Sequence, residues 1–305
     1  IEEMSNISKK NRELLAEKFL FGLQTFKSFQ ESVDGTKKYL FPAMSGKFIE
    51  SAYIPESKRS TLCVSSQVGC KMGCLFCMTG KQGFQGNLSA GEIVNQVRSL
   101  PEQENLTNIV YMGMGEPLDN TKEVLKSLEI LTSEWGFAMS PRRITISTIG
   151  MIPGMKEFLE KSECHLAISL HTPFEDERKR LMPVENVYPL KEVMNEVKKY
   201  NWFRQRRISL EYIMFKDLND TDRHVSELVR LLHGIKCRVN LIKFHAIPDT
   251  PLEGSSPLVM ESFRDKLNAK GITATIRRSR GEDIYAACGL LSTKEMVKKD
   301  QDEDF

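Results

Sequence analysis

The spacing of hydrophobic and polar positions changes twice along the chain. Over residues 7–31, Leu14, Leu15, Phe19, Phe21 and Leu23 stand among charged residues, which predicts a helical segment. From 37 to 68 the pattern shortens to alternation rich in aromatic and β-branched residues. KKYLFPAM, KFIESAYIP and TLCVSSQV therefore predict strands, with a turn at Ser45-Gly46. After Cys77 strands and helices alternate. Ser89 followed by Glu92 is the signature of a capping box, opening a helix that runs to Leu100. Further helices are predicted at 121–132, 153–160, 189–200, 221–232 and 258–269. The strands between them are NIVYMGM (108–114), RITIST (143–148), HLAISLH (165–171), RISLEYIM (207–214), RVNLIKF (238–244) and ITATIRR (272–278).

This alternation implies parallel βαβ units, in an open doubly wound sheet or in a barrel. In both, ligands bind beyond the carboxyl ends of the strands. Unusual polar residues gather at those ends: Cys70, Gly113 to Glu116, Ser147, Ser169 with His171, and His245. Their convergence on one end of the sheet is stronger evidence for a site than any one of them alone.

Composition bounds the class. The 305 residues are 40% hydrophobic and 28% charged, as in an ordinary globular protein and unlike a disordered chain. No apolar run approaches the roughly 18 residues that span a bilayer. The opening IEEMSNISKKNRELL is charged and lacks the apolar core of a signal peptide. Because the first residue is Ile rather than Met, the natural N-terminus is expected to be missing. Four of the last six residues, DQDEDF, are acids; without them 43 basic residues face 37 acidic ones. The basic residues cluster at Arg142-Arg143, Arg178-Lys179-Arg180, Arg204, Arg206-Arg207 and Arg277-Arg278 with Arg280, where they are candidates to pair with phosphates. Seven cysteines without a secretory signal argue for a reducing, cytoplasmic compartment and against a disulfide framework.

Cys70, Cys74 and Cys77 form C-x3-C-x2-C in CKMGCLFC. Three thiolates in a short loop suit a soft metal centre. A structural zinc site wants four protein ligands, and no histidine follows at zinc-finger spacing. Three cysteines therefore suggest a four-iron cluster with one iron open to a small chelating ligand. A zinc site completed by a distant residue, and three simply buried cysteines, are the alternatives.

With Phe76 before its last cysteine, this triplet resembles the signature of the radical S-adenosylmethionine superfamily, and GMGEP resembles that superfamily's GGEP motif. The resemblance sharpens over residues 37–292. ESAYIPE, TLCVSSQVGC, CMTGKQGF, GMGEPL, SPRRITISTIG, ISLHTP, LMPVE and DIYAACG are similar, in order, to blocks of the RlmN-type dual-specificity RNA adenine-C2 methyltransferases.

The resemblance implies a partial (β/α)6 TIM-type barrel, residues 61–292. It would be preceded by a helical accessory region (1–36) and a strand extension (37–60), and followed by an acidic tail (293–305) expected to be disordered. It implies a [4Fe–4S] cluster on Cys70, Cys74 and Cys77, and two molecules of S-adenosylmethionine per turnover. Gly115, Glu116, Ser147, Ser169, Leu170 and His171 would hold the cofactor. His245 would touch it where most members carry Asn. Adenine C2 is electron-poor and cannot attack a sulfonium methyl, so the family splits the work. A cysteine matched here by Cys288 takes a methyl group and, as a carbon radical generated through a 5′-deoxyadenosyl radical, adds to C2. A second cysteine, matched by Cys63, releases the product by forming a disulfide. Glu50 matches a glutamate near the target base and is assigned proton transfer. The resemblance further implies 23S ribosomal RNA and transfer RNA as substrates, a flavodoxin- or ferredoxin-type electron donor, and a monomer.

Two departures stand out: Leu290 follows Gly289 where the family has Gln, and His245 replaces Asn. Cfr-type enzymes, which methylate adenine C8, share the cluster and both cysteines. Pro117 and Met78 favour C2. A zinc-stabilised RNA-binding protein without catalysis is the rival of another class.

Overall fold

The computed structural model describes residues 3–19, 23–200, 202 and 207–293. Arg204, Arg206 and all of the acidic tail beyond Thr293 lie outside the described residues. The strands are β1 (Ser28–Glu31), β2 (Lys37–Pro42), β3 (Phe48–Glu56), β4 (Arg59–Cys63), β5 (Gln67–Val68), β6 (Gly86–Asn87), β7 (Asn108–Tyr111), β8 (Ile144–Thr148), β9 (His165–Ser169), β10 (Ile208–Met214), β11 (Cys237–Lys243) and β12 (Thr273–Arg277). The helices are α1 (Lys9–Lys18), α2 (Met78–Gln82), α3 (Ala90–Arg98), α4 (Thr121–Thr132), α5 (Ile152–Lys161), α6 (Glu175–Leu181), α7 (Leu190–Val197), α8 (Asp222–Leu231) and α9 (Pro257–Ala269).

One ten-stranded sheet runs β1-β2-β3-β4-β7-β8-β9-β10-β11-β12. From β4 to β12 every neighbouring pair is parallel. Helices fill each crossover of that run, so it forms a partial (β/α)6 barrel with β12 added. Among the described residues no ladder joins β12 back to β4. The chain after β12 instead meets the turn between β1 and β2. The Ser32 hydroxyl donates to Asp283 at 2.5 Å, and Gly281 N–H donates to Asp34 at 3.0 Å.

Local signals explain the elements. Ser89 Oγ accepts from Glu92 N–H at 3.3 Å while Glu92 Oε2 accepts from Ser89 N–H at 2.8 Å, completing the expected capping box of α3. On the barrel strands one face is fully buried. Ile109, Tyr111, Ile144, Ile146, Leu166, Ile168, Leu210, Tyr212, Val239 and Leu241 pack there with Val124, Phe158 and Leu228 of the helices.

The predicted helix over 7–31 is corrected. Among the described residues of that segment only Lys9–Lys18 is helical, and none of its side chains is buried, so packing does not extend it. Residues 28–31 instead form β1, antiparallel to β2 with Ser28 opposite Leu40, beside a cluster in which Phe26 meets Tyr39 edge-on at 4.9 Å. The strand predicted over 108–114 stops at Tyr111, because Gly113 to Glu116 turn to line the site. Helix α6 was not predicted; it is hidden in the charge run EDERKRL.

Candidate functional site

The first wall is the cysteine loop. Cys63 ends β4, opposite Ala52 of β3 and Val110 of β7. The chain then runs through 64–67, and the segment 113–116 is laced onto that stretch. Gly113 N–H donates to Val64 O (3.1 Å), Met114 N–H to Ser65 Oγ (2.8 Å) and Glu116 N–H to Gln67 Oε1 (2.9 Å). The approach is so close that side chains at the two glycines would collide with it. A Cβ on Gly113 would lie 2.7 Å from Ser65 Oγ, and one on Gly115, whose φ is +100°, 2.5 Å from Gln67 Cβ. Cys70 follows directly, so GMGE and the cysteines are locked together.

A pocket of about 140 Å³ opens between these walls. Cys70, Cys77, Gly115, Glu116, Ser147, Ser169, His171 and Cys288 line it. Cys74 is buried behind them with Phe76 and Leu181. Leu170 is packed in the main core instead of lining the pocket. Glu116 is buried, with its carboxylate accepting from Leu118 N–H (3.1 Å) and Ile149 N–H (2.9 Å). Burial pushes its carboxyl up to about 7, against opposing hydrogen bonds from Thr148, Ile149 and Leu118. A ligand ammonium beside it would relieve that cost. His171 sits at φ +58°, its Nδ1 accepting from Ile213 N–H at 3.0 Å and its ring edge-on to Phe76 at 4.8 Å. Burial, helped by the Arg178 charge, pulls its pKa down to about 3, so the ring is neutral with its proton on Nε2.

A second cavity of about 400 Å³ occupies the barrel interior. Cys63, Cys288 and Arg277 line it near the carboxyl ends of the strands, and His245 lines this cavity instead of the smaller pocket. His245 Nε2 lies 2.9 Å from Ser279 Oγ. Cys288, Arg277 and Glu211 line both cavities, so Cys288 stands at their junction. Burial, with the nearby Cys288 charge, pushes the Cys63 thiol up to about 12, while Arg277 opposes the rise. Cys288, ahead of Glu211, holds Arg277 firmly charged.

The loop carrying Cys288 is stapled to the cysteine loop. Met78 N–H donates to Gly289 O at 2.8 Å and the Thr79 hydroxyl to Leu291 O at 2.6 Å. Glu50 adds a third tie, its Oε2 accepting from Ser292 N–H at 2.9 Å. Glu50 is buried and paired with Lys38 at 3.1 Å; it lines a neighbouring cavity, two residues along β3 from Ala52, which packs against Cys63.

Sequence reasoning missed two members. Fully buried Arg178 donates through Nη2 to Ile149 O (2.7 Å) and Ser169 O (3.1 Å), through Nε to Leu170 O (3.3 Å), and through Nη1 to Glu185. It thereby fixes the exits of β8 and β9. Glu211 accepts from Ser209 and Asn240, while its Oε2 has no hydrogen-bond partner among the described residues. A charge in the middle of the apolar strand RISLEYIM was the available signal for Glu211. Arg178, expected as part of a basic cluster that pairs with phosphates, is instead buried and paired with Glu185, so no phosphate reaches it.

The three-cysteine set fits an iron–sulfur cluster. Burial pushes Cys70 up to about 12 and raises Cys74 and Cys77, so bare thiolates are costly there and iron would neutralise them. Among the described residues no three Cys, His, Asp or Glu stand close enough to hold a single ion. Tetrahedral zinc with bonds of about 2.3 Å needs its sulfurs within roughly 4 Å of one another. A cluster spreads its thiolates over several irons.

Residues 64–232 match the Radical SAM superfamily model. A probable dual-specificity RNA methyltransferase RlmN from Parabacteroides distasonis is 60% identical over 97% of this chain and 87% of its own length. The dual-specificity RNA methyltransferase RlmN of Nitratiruptor is 44% identical over 96% and 88%. The crystal structure of a radical SAM methyltransferase from Sphaerobacter thermophilus, 39% identical, superposes with a TM-score of 0.88 over 93% of this chain and 86% of that one. With a fold, a cysteine loop and a near full-length likeness that agree, the chain belongs to the RlmN family of the radical SAM superfamily.

Proposed function

We propose that this chain methylates C2 of an adenine in 23S ribosomal RNA and in transfer RNA, with Cys288 as methyl acceptor and Cys63 as resolving thiol. The observation that carries the reading is the position of Cys288. It lines the pocket of Glu116 and the cysteine loop on one side, and the cavity of Cys63 on the other.

Cys70, Cys74 and Cys77 would hold a [4Fe–4S] cluster, leaving one iron for S-adenosylmethionine. When bound, the cluster supplies the electron that turns the cofactor into a radical source, the chemistry that an electron-poor aromatic carbon demands. The chain's residues do the rest. Glu116 faces the cofactor's ammonium, where opposite charge favours the carboxylate. Gly115, Ser147, Ser169 and neutral His171 complete the pocket wall, with Leu170 behind them as core. His245, across the junction, approaches the cofactor from the barrel interior. Cys288 takes one methyl group on its sulfur and carries it to the base. Glu50 accepts the proton that leaves C2. Cys63 then forms a disulfide with Cys288, which breaks the bond between protein and RNA.

Exposed Arg142, Arg143 and Arg278 hold phosphates, and base flipping brings the adenine to the cavity. Among the described residues no helix is long and apolar enough to cross a membrane. We place the enzyme in the cytoplasm, as a monomer fed by a flavodoxin- or ferredoxin-type donor.

Replacing Cys63 tests the assignment. Cys63→Ala should accumulate a covalent protein–RNA adduct that survives denaturing electrophoresis, and Cys288→Ala should form none. Free methylated RNA from Cys63→Ala would overturn the resolving role.

A further inference from the structure

We propose that the polar barrel interior is an entry channel for a small thiol bearing a carboxylate, which reduces the Cys63–Cys288 disulfide after each turnover. The inference rests on the reading of these two cysteines given above. It adds the route and the chemical class of the reductant.

A closed (β/α) barrel fills its interior with branched aliphatic side chains. Here polar side chains share the lining with apolar ones such as Val110 and Ile242: Asn108 of β7, Thr145 of β8, Ser209 of β10, Asn240 of β11 and Thr275 of β12. Asn108, Thr145 and Ser209 lie at the amino ends of their strands and Asn240 and Thr275 at mid-strand, whereas Cys63 and Arg277 end theirs. The cavity of about 400 Å³ thus runs the length of the strands, from the amino ends to the cysteine pair. Its size suits a small metabolite.

The charge at its amino end is positive. Arg59 is the first residue of β4 and Arg238 the second of β11, and both line the cavity. Arg59 is paired with Glu56 at 2.9 Å, whereas exposed Arg238 makes no ion pair among the described residues. The other route to Cys288 passes Glu116 and the cysteine loop, where an anion would meet a carboxylate and thiolates. Cys63 is only 8% exposed, so attack falls on the partly exposed Cys288, which a small molecule in the channel reaches.

The chemistry balances with two thiols. The first, as thiolate, attacks Cys288 Sγ; the S–S bond breaks and its electron pair leaves on Cys63, whose thiolate faces the Arg277 charge and then takes a proton. A second thiolate attacks the small molecule's sulfur in the mixed disulfide. Cys288 leaves as thiolate, ready to accept a methyl group, and a small-molecule disulfide departs with the two electrons' worth of oxidation.

The test starts from reconstituted holoenzyme after one turnover on RNA. Loss of the Cys63–Cys288 linked peptide is followed by quenched mass spectrometry with 3-mercaptopropionate, 2-mercaptoethanol or cysteamine at equal thiolate concentration. At low salt 3-mercaptopropionate should lead 2-mercaptoethanol by about tenfold, the low end of electrostatic steering, with cysteamine slowest. High salt and Arg238→Glu should each erase the lead, with the 2-mercaptoethanol rate unchanged. Equal rates for the three thiols, a lead that survives Arg238→Glu, or reduction only by a thioredoxin-type protein overturns the channel alone. So does an Arg238→Glu variant whose sole change is a raised KM for RNA. If no linked peptide forms in the first turnover, the resolving role of Cys63 falls and takes the channel with it.

Discussion

The two faces of the barrel strands obey opposite rules. The outer face carries Ile109, Ile146, Leu166, Leu210 and Leu241, all essentially inaccessible to water and packed under helices. The inner face of the same strands carries Asn108, Thr145, Ser209, Glu211, Asn240, Thr275 and Arg277 around a cavity. Strands of a parallel sheet covered on both sides usually read as continuous apolar runs. Alternation in this one therefore marks a barrel whose inside is kept for chemistry. Stability is concentrated on the outer face and reactivity on the inner face and at the strand ends.

Substitutions on each face should separate the two properties. The largest effect is expected inside: Cys288→Ala should lower methylation to background while the urea unfolding midpoint stays near that of the wild type. Next comes the outer face. Leu210→Ala should lower unfolding free energy by about 2–5 kcal/mol, with cofactor cleavage per folded molecule retained. A Leu210→Ala protein of normal stability and no activity would dissolve the comparison.

His171 lies between the two regimes, buried yet in the pocket. Its folded pKa of about 3 lies below its unfolded value of 6.5. Below pH 6.5 the unfolded chain takes a proton that the folded chain excludes. Its stabilising effect is therefore complete above pH 6.5 and declines as pH falls toward 3, by at most about 1.4 kcal/mol per unit. His171→Asn tolerates the positive φ and keeps an acceptor for Ile213 N–H. Urea unfolding from pH 7 to 5 should therefore show a shallower loss of stability in the variant; parallel curves would remove the claim that the ring is held neutral. The smallest effect is expected for Thr145→Val, a polar-to-apolar change at a cavity wall, where stability should move by less than about 0.5 kcal/mol.

Much of this division was legible in the sequence. Apart from α6, strand and helix order along the barrel followed from periodicity because the long helices carry an apolar stripe, and α4 spans the predicted residues. The N-terminal segment misled because Leu14, Phe19 and Leu23 are apolar yet stay exposed, so their helical spacing reports no packed face. The cysteine loop and GMGE were readable as local motifs. The roles of Arg178 and Glu211 were not, because their partners come from distant strands and only the fold brings them together.

The central claim is that the inner face performs adenine-C2 methylation through Cys288, and nucleoside mass spectrometry tests it most directly. Reconstituted protein would be incubated without oxygen with unmodified 23S ribosomal RNA, S-adenosylmethionine and a reductant, beside Cys288→Ala. The account predicts 2-methyladenosine from the wild type and none from the variant. 8-Methyladenosine, or 2-methyladenosine formed equally well without Cys288, would contradict it.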